Sequence, residues 1–335
     1  MHPKPIFSKD LVSNLEKVIA ISSASRCVLI CDENTKKYCW PIIKKIKVQH
    51  FITFIAGENI KNWDHIDKII SSLLEINADR KTLIIALGGG TILDLAGFAA
   101  SIYKRGIKYI NIPTTLLAMV DAAIGGKTAI NFMHNKNVVG SFYPPIGVYS
   151  DAIFLKTLPE TEIISAKGEI IKHSIIAGQF INLEDLNIDN KSIYQWAMIK
   201  YSIVKNDPLE NNNRLMLNAG HSIGHALESH FLAIGKPILH GLCVAAGLWM
   251  ESYISKEYFK KSFAFELIEK IIPAYFPKLM LSNLTIVDIE TFLYQDKKNS
   301  NNEINIIVFS GAHQFVLKPI SIDMIANAIA AYQKC

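Results

Sequence analysis

Two histidines four residues apart, His221 and His225, are the residues of this chain best suited to bind a metal, and a third, His240, follows a short loop later. On a helix, side chains four residues apart lie on one face, one turn apart. Upstream, Glu169 and Lys172 place a carboxylate and an amine on one helical face. A carboxylate with imidazoles is a ligand set for a divalent cation, usually Zn²⁺ with an open position for substrate. The pattern indicates a metal site surrounded by catalytic groups.

Two other interpretations of the histidine pair have to be weighed. A histidine on an apolar helix is more often a core or surface residue than a ligand, so the His-x-x-x-His spacing alone is weak. A metalloprotease would carry Glu directly after the first His, but Ser222 stands there. Protease chemistry is therefore disfavoured.

A glycine run indicates a second ligand site, for a dinucleotide. Residues 88–91 (Gly-Gly-Gly-Thr) follow an apolar strand-like run and precede a helical pattern. Glycines let the backbone approach a pyrophosphate, and the helix N-terminus supplies N–H donors. The spacing is not G-x-G-x-x-G, so a simple strand–helix turn remains an alternative. Asp94 is either a helix cap or a cofactor ligand, and Asp32 and Glu58 are either turn residues or acceptors for ribose hydroxyls.

The elements that must position these groups alternate along the first 150 residues. Strand-like runs at 26–31, 50–56, 82–87 and 108–112 each end in polar or glycine residues and are separated by helical patterns. This alternation predicts an open, mainly parallel sheet covered by helices, with ligands beyond the carboxyl ends of its strands. From residue 158 onward helical spacing dominates, and one extended pair is predicted, 304–309 with 314–317. The turn-rich stretch 143–145 marks the boundary between domains 1–150 and 151–335.

Composition excludes several classes of protein. The 335 residues suffice for two domains, and the net charge of +5 comes from dispersed Lys and Arg. Dispersed positive charge favours anionic small molecules over nucleic acid. There is no apolar run of about 18 residues and no apolar signal-peptide core, so neither a membrane partner nor secretion is expected. The five Cys have no zinc-ribbon spacing and suit buried thiols in a reducing cytoplasm.

Nine motifs in a fixed order closely resemble the 3-dehydroquinate synthases, of the sugar-phosphate cyclase family. The resemblance covers about residues 25–320. The motifs are Gly88–Phe98, Tyr103–Gly106, Ile112–Ala118, Val120–Thr128, Asn135–Asn137, Phe154–Pro159, Gly168–His173, Leu217–Ala226 and Leu239–Gly241.

The resemblance implies a phosphate-eliminating carbon–oxygen lyase of the shikimate pathway of aromatic amino acid biosynthesis. Such an enzyme converts 3-deoxy-D-arabino-heptulosonate 7-phosphate into 3-dehydroquinate and phosphate, using NAD⁺ catalytically with a divalent metal, typically Zn²⁺, with Co²⁺ possible. The implied fold is a Rossmann-like α/β N-terminal domain that binds NAD, followed by a mainly helical C-terminal domain that binds metal and substrate. The implied assembly is a cytoplasmic homodimer.

The resemblance also assigns roles residue by residue. Glu169, His221 and His240 match the metal ligands, while His225 matches a catalytic residue beside the metal. The residues that match the substrate-binding set are Asp121, Lys127, Lys136, Asn137, Lys172, Lys200, Arg214 and Asn218, of which Asp121, Lys127 and Lys172 are assigned with His225 to catalysis. Arg105 matches an arginine that reaches the substrate phosphate from the partner subunit, and either Lys297 or Lys298 matches another substrate-binding lysine. The positions that match NAD contacts are Asp32, Asn34, Glu58, Lys61, Gly89, Gly90, Asp94, Thr114, Thr115, Phe154 and Thr157.

Three positions depart from the family pattern. Leu242 follows His-Gly where Glu is frequent, and Ser165-Ala166 replaces a more usual Ser-Gly or Asn-Gly pair, which puts one contact near Ser165 in doubt. The stretch 299–303 lacks the usual glycine after Lys298. None of these departures removes a metal ligand.

Three alternatives remain. A metal-dependent polyol dehydrogenase of related fold would release NADH, but such enzymes usually begin their ligand set with Asp and need no basic phosphate pocket, so Glu169, Lys172 and Arg214 favour the cyclase. Another sugar-phosphate cyclase, forming 2-deoxy-scyllo-inosose or an amino analogue of dehydroquinate, differs only in pocket details. A non-enzymatic binding protein of the same fold is disfavoured because every metal and catalytic match is retained.

Overall fold

A computed structural model describes residues 2–133, 135–178, 188–261, 265–281, 284–294, 303–311 and 314–335. By packing, the chain forms two compact units: unit 1 is Met1–Pro159 with Asn187–Leu209, and unit 2 is Glu160–Leu186 with Glu210–Cys335. The boundary predicted from the sequence, on the turn-rich stretch 143–145, lies at residue 150. By packing, the chain leaves unit 1 at Pro159 and returns to it for one helix.

The described strands, in chain order, belong to unit 1 up to β8 and to unit 2 thereafter. They are β1 (Ile6–Phe7), β2 (Cys27–Asp32), β3 (His50–Phe54), β4 (Leu83–Gly88), β5 (Tyr109–Pro113), β6 (Lys127–Phe132), β7 (Asn135–Phe142), β8 (Gly147–Ser150), β9 (Ile304–Gly311) and β10 (Gln314–Ile320).

The described α-helices belong to unit 1 up to α5, and α7 returns to that unit; the others form unit 2. They are α1 (Leu11–Ser22), α2 (Glu33–Tyr38), α3 (Trp40–Ile43), α4 (Trp63–Glu75), α5 (Gly90–Ile102), α6 (Glu160–Ala177), α7 (Asn190–Asn206), α8 (His221–Ala233), α9 (His240–Phe259), α10 (Phe265–Tyr275), α11 (Ile286–Tyr294) and α12 (Ile322–Lys334).

Unit 1 is built on one parallel sheet with the strand order β1-β8-β5-β4-β2-β3. Every strand pairing in this sheet is parallel. The central strands β2 and β4 are buried along their whole length, because helices cover both faces of such a sheet and leave no polar side. The carboxyl ends of β2, β4 and β5 meet at one edge, which brings Asp32, Gly88 and Pro113 to the same side. This confirms the predicted Rossmann-like α/β fold and its strands.

A hairpin and a short π-helix complete unit 1. Strands β6 and β7 pair antiparallel, and Ala118–Ala122 forms one π-helical turn between β5 and β6. Helix α7 packs against this turn, which is why residues 187–209 return to unit 1. A π-turn widens the helix locally and is frequent at functional sites.

Unit 2 is a group of helices around α9, with one hairpin. Helix α9 packs against α6, α8, α10, α12 and β9. The predicted pairing near residues 304–317 is confirmed, because β9 and β10 are antiparallel with Val308 opposite Val316. Within the ranges given above, no helix combines the length and apolar character needed to cross a bilayer.

Candidate active site

Three helices of unit 2 bring the predicted metal ligands together. Helix α6 carries Glu169, α8 begins with His221 and has His225 one turn later, and α9 begins with His240. Two of the ligands lie at helix starts, where side chains are not shielded by a preceding turn. The fold therefore brings these residues to one place, as the sequence predicts.

Glycines explain how α6 and α9 approach so closely. A Cβ added to Gly168 would overlap the carbonyl oxygen of Gly241, and a Cβ added to Gly241 would overlap the carbonyl oxygen of Ser165. The two backbones are therefore in direct contact at the residues next to Glu169 and His240. Ser165 Oγ also accepts a hydrogen bond from the Gly241 N–H at 3.1 Å, so the contact placed in doubt by Ala166 is present here.

The donor atoms have the spacing of a coordination shell. Glu169 Oε1 lies 3.3 Å from His221 Nε2 and 3.6 Å from His240 Nε2. In a tetrahedral zinc site with bonds of about 2.1 Å, two ligand atoms are about 3.4 Å apart. Glu169 is completely buried, and no other described residue gives either of its oxygens a well-aligned hydrogen bond. Lys172 supplies one positive charge beside this carboxylate, and the lack of well-aligned hydrogen bonds leaves its oxygens able to bind a further cation, so these three residues fit a divalent metal.

Hydrogen bonds at the far side of each imidazole direct Nε2 toward Glu169. His221 Nδ1 lies 3.1 Å from the carbonyl oxygen of Ala219, and His240 Nδ1 lies 3.1 Å from Glu228 Oε2. Both partners are acceptors, so Nδ1 carries a proton in each ring, and Nε2 is the atom left to bind a cation, in His240 after loss of its second proton. A ligand histidine that donates to a carbonyl or carboxylate is the usual arrangement at metal sites.

His225 stands beside this trio. Its ring centroid is 4.9 Å from that of His221 and 5.6 Å from that of His240. The three histidines each offer a nitrogen within 4.8 Å of the others, so geometry alone also allows them to form a ligand set. The role predicted for His225, catalysis beside the metal, stays a prediction.

The electrostatics of the site favour a charged carboxylate. Burial opposes the charge on Glu169, but Lys172 and His221 outweigh it and hold the pKa of this carboxyl well below its ordinary value. Lys172 forms an ion pair with Glu169 and is itself buried. His173 Nε2 lies 3.5 Å from Glu169 Oε2. Glu169 therefore stays ionised in a poorly solvated place, which strengthens its attraction for a cation.

The two ligand imidazoles differ in protonation without metal. Burial, and then the charge of Lys172, lower the pKa of His221 to about 4, so this ring is neutral near pH 7. Burial also opposes the charge of His240, but Glu228 and then Glu169 outweigh it and raise the pKa to about 10. A cation that binds His240 near neutral pH must displace a proton.

In unit 1, the glycine loop forms a cradle at the carboxyl ends of β4 and β5. A Cβ on Gly89 would lie 3.1 Å from Thr115 Cγ2, and one on Gly90 would lie 3.3 Å from Ala122 Cβ. The Thr114 N–H donates to the carbonyl oxygen of Gly88 at 3.0 Å. The structure thus brings together four predicted cofactor positions, at the N-terminus of α5 whose free N–H groups suit a pyrophosphate.

Three further predicted cofactor residues lie in one polar network of unit 1. Glu58 accepts hydrogen bonds from Thr91 Oγ1 at 2.6 Å and Asn131 Nδ2 at 3.1 Å. Lys61 forms an ion pair with Asp94 at 2.6 Å and donates to the side chain of Asn137. Burial raises the pKa of Asp94 although Lys61 opposes this shift. Lys61 thus connects a cofactor position to a predicted substrate position.

The remaining predicted cofactor residues are more scattered. Asp32 is buried and caps α2, because its Oδ1 accepts the Thr35 N–H at 2.8 Å, and Asn34 is exposed beside it. Phe154 is buried and Thr157 is exposed in the short helix Ala152–Thr157. The sequence left Asp32 as either a turn residue or an acceptor for ribose hydroxyls; the structure shows it as the N-cap of α2, and its contact with the cofactor stays a prediction.

Two of the predicted catalytic and substrate residues of unit 1, Lys200 and Asp121, form a close pair. Lys200 Nζ lies 2.7 Å from Asp121 Oδ1 and 3.0 Å from the Asp121 carbonyl oxygen. Lys136 and Asn137 lie on β7 and are half-buried, whereas Lys127 is exposed at the start of β6. Arg105 is exposed in a tight turn, with a left-handed φ of 63°.

In unit 2, Arg214 is buried within the short helix Asn213–Asn218, and Asn218 Nδ2 donates to Glu210 Oε1 at 3.0 Å. Lys297 and Lys298 lie outside the described residues.

Glu228 is a site residue that sequence reasoning missed. The sequence spacing could have predicted it. Glu228 follows His221 by seven residues and His225 by three, so it shares their helical face.

Comparison with known proteins agrees with this geometry. Residues 51–165 match the family model for the 3-dehydroquinate synthase N-terminal region, and residues 166–299 match that for its C-terminal region. The chain is 38% identical over 317 residues to a 3-dehydroquinate synthase of Parabacteroides distasonis, covering 90% of this chain and 89% of that protein.

Solved structures with the same fold include two cyclases. A 2-deoxy-scyllo-inosose synthase in complex with carbaglucose-6-phosphate, NAD⁺ and Co²⁺ has a TM-score of 0.84 at 23% identity, covering 97% of this chain and 95% of that one. The 2-epi-5-epi-valiolone synthase of Streptomyces hygroscopicus, with NAD⁺ and Zn²⁺ bound, has a TM-score of 0.83 at 20% identity, covering 100% and 97%. At these identities the likeness concerns the fold.

Proposed function

The chain belongs to the 3-dehydroquinate synthase family, and from this premise we propose that it performs the family's reaction with a divalent metal held by Glu169, His221 and His240. The observation that carries the proposal is the convergence of Glu169 Oε1 with the Nε2 atoms of His221 and His240 at 3.3 and 3.6 Å. NAD⁺ is assigned to the glycine loop at the start of α5. The reaction class is phosphate elimination with ring closure, a carbon–oxygen lyase.

A bound metal would supply a Lewis acid that acidifies a ring hydroxyl, and bound NAD⁺ would supply the acceptor for the hydride that leaves the carbon bearing that hydroxyl. The chain's own task is to hold the substrate and manage its charge. His225 Nδ1 or Nε2 is the group placed to hold the proton of a hydroxyl beside the metal, because its ring adjoins those of both ligand histidines. Glu228 and the Ala219 carbonyl keep those ligand rings in the required tautomer.

The substrate of this family carries a carboxylate and a phosphate, and the chain offers a matching set of cations. Lys172 and Arg214 are buried in unit 2, where a positive charge is screened little by water. Lys200 is held in place by Asp121 in unit 1, while Lys136 is half-buried on β7. Lysine acts as a point charge and arginine as a two-pronged donor, so both suit a sugar acid that carries a carboxylate and a phosphate.

We further propose a homodimer in which Arg105 serves the neighbouring subunit. Arg105 is exposed and has a left-handed backbone in the short turn after α5, which supports this proposal. The proposed compartment is the cytoplasm, in keeping with Cys27, Cys31, Cys39 and Cys243, which are buried free thiols.

One assay tests the reaction. Purified protein is given 3-deoxy-D-arabino-heptulosonate 7-phosphate with NAD⁺ far below the substrate concentration and with Zn²⁺ or Co²⁺, and phosphate release is followed together with absorbance of NADH. We expect many phosphates per NAD⁺ and no steady accumulation of NADH, since the hydride is returned. One NADH per product would instead support the polyol dehydrogenase.

A second substrate separates the cyclases. Glucose 6-phosphate is the corresponding test for an inosose-type cyclase, because it lacks the carboxylate that Lys and Arg side chains would bind. Phosphate release from glucose 6-phosphate but not from the heptulosonate phosphate would contradict the proposed substrate while leaving the metal site intact.

A further inference from the structure

Glu251 is a completely buried carboxylate in the middle of α9, away from His240, the proposed ligand on its own helix. Its Oε2 accepts the Gly220 N–H at 2.6 Å and its Oε1 accepts the Ile223 N–H at 3.2 Å. Gly220 precedes the first residue of α8, and Ile223 is its third residue. A single side chain from one helix therefore caps the start of another.

Glu251 supplies the side-chain acceptor that the N-terminus of α8 lacks. Its own N-cap residue is Gly220, which has no side chain to accept from the first turn. Gly220 must be glycine here because its φ is +78° and a Cβ would lie 2.8 Å from the Val244 carbonyl oxygen. The close approach that excludes a side chain at Gly220 brings α9 near enough for Glu251 to reach the exposed N–H groups.

Capping by a charged group is strong. A carboxylate at a helix N-terminus is stabilised by the helix dipole, and hydrogen bonds to a charged acceptor are stronger than neutral ones. These gains offset the cost of burying the charge. Because both oxygens are engaged, the first turn of α8 is fixed in both rotation and position along its axis.

The first turn of α8 is also the segment that carries His221 and, one turn on, His225. A shift of this turn by half an ångström would move His221 Nε2 relative to Glu169 Oε1, now 3.3 Å away. Helix α9 itself supplies His240. Glu251 thus links the two helices that carry the histidine ligands.

We propose that Glu251 is a positioning residue for the metal centre, which acts through the first turn of α8 and sets where His221 stands. The inference rests on the proposed function only in taking Glu169, His221 and His240 as ligands.

The test compares Glu251→Gln with Ser252→Ala in the full-length protein. Gln keeps the size but loses the charge and one acceptor. Ser252 is the next residue, equally buried, and donates only within its own helix, to the Trp249 carbonyl oxygen at 2.7 Å. Co²⁺ is titrated into metal-free protein, and affinity is read by chelator competition together with the visible absorption bands, which report the geometry of the ligands.

We expect Glu251→Gln to weaken Co²⁺ binding by about 10–100-fold and to alter the bands, as loss of an outer-shell partner does at other metal sites. Ser252→Ala should bind Co²⁺ like the unchanged protein. A purely structural cap would lower the unfolding midpoint of Glu251→Gln without these effects. Affinity within twofold of the unchanged protein, with identical bands, overturns the proposal.

A measurement on the unchanged protein covers the case in which Glu251→Gln does not fold. The amide protons of Gly220 and Ile223 should exchange with solvent as slowly as those inside α9, because Glu251 holds them. Exchange at the rate of an exposed loop overturns the proposal without any variant. The variant His240→Ala separates failure of the Glu251 proposal from failure of the proposed function. If that variant still binds Co²⁺ fully, the ligand assignment is wrong. The exchange rates of the Gly220 and Ile223 amides do not depend on that assignment.

Discussion

Units 1 and 2 build their candidate sites by different physical means. In unit 1, Gly89 and Gly90 offer backbone and empty space, and the acidic groups Asp32 and Glu58 already have hydrogen-bond partners. In unit 2, the site consists of charged and imidazole side chains in a buried place, and Glu169 lacks well-aligned hydrogen bonds from other described residues. A site lined by backbone tolerates substitution of nearby side chains. A buried site of charged side chains is destabilised when any one partner is removed, because the remaining charge is then unpaired.

The largest effect is expected from removal of a ligand in unit 2. His240→Ala should weaken metal binding by more than about 100-fold, beyond the loss seen for outer-shell partners, and abolish turnover. Metal content per protein after dialysis, measured with activity, checks this. The control is His230→Ala on α8, whose ring contacts the Asp288 carbonyl oxygen instead. Full metal stoichiometry in His240→Ala would mean that the ligand set is different.

A glycine substitution in each unit compares the backbone-lined site of unit 1 directly with the buried charged site of unit 2. Gly241→Ala forces a Cβ against the Ser165 carbonyl oxygen, so we expect about 1–3 kcal/mol lower free energy of unfolding, as for overpacking, together with loss of metal. Gly90→Ala meets only Ala122 Cβ, at 3.3 Å. It should keep the fold and the metal but bind NAD⁺ more weakly. Denaturant unfolding, metal analysis and NAD⁺ titration measure the three quantities, and the comparison breaks down if both variants behave alike.

Protonation of His240 should make metal binding pH-dependent. Its pKa is raised to about 10 without metal, so the charged form contributes stability to the metal-free fold below its ordinary pKa, and this is lost as the pH rises through about 10. Between pH 6 and 8 the cation must displace this proton, so affinity should rise roughly tenfold per pH unit. Calorimetry in buffers of different ionisation enthalpy should show release of about one proton.

Glu228→Gln is the matched variant for this measurement. Glu228 is the main reason that the pKa of His240 is raised, and Gln keeps the hydrogen-bond acceptor without the charge. We expect less proton release near pH 7.5 and metal affinity about 10–100-fold weaker. No proton release from the unchanged protein at that pH would show that His240 is neutral before the metal binds.

The smallest effect is expected at Arg105, in unit 1. Arg105→Lys keeps the charge but loses the two-pronged geometry, so KM should rise and kcat fall by about tenfold with an unchanged fold. Mixed dimers of an Arg105→Ala chain with a His225→Ala chain test whether Arg105 acts across subunits. If it does, one site per mixed dimer has both groups and activity returns; if it acts within its own chain, the mixture stays inactive.

Much of the architecture was predictable because it follows from short-range patterns. The runs that form β2, β4 and the β9–β10 pair are short, rich in β-branched residues and bounded by turn residues, a pattern that favours strands. Assignment of Glu169, His221 and His240 rested on helical spacing together with the family motifs. The matches to both regions of the 3-dehydroquinate synthase family confirm the resemblance, while the individual residue roles stay predictions.

What the sequence alone determined is the family, the central strands of unit 1 and the candidate residues of the site, since each is encoded within one strand or one motif. Only the tertiary structure decided how they are held. Helix α7 returns to unit 1, Ser165 meets Gly241 across 76 residues, and Glu251 caps α8 from 31 residues away. Contacts of this kind depend on how closely two backbones can approach, and no local spacing records that distance.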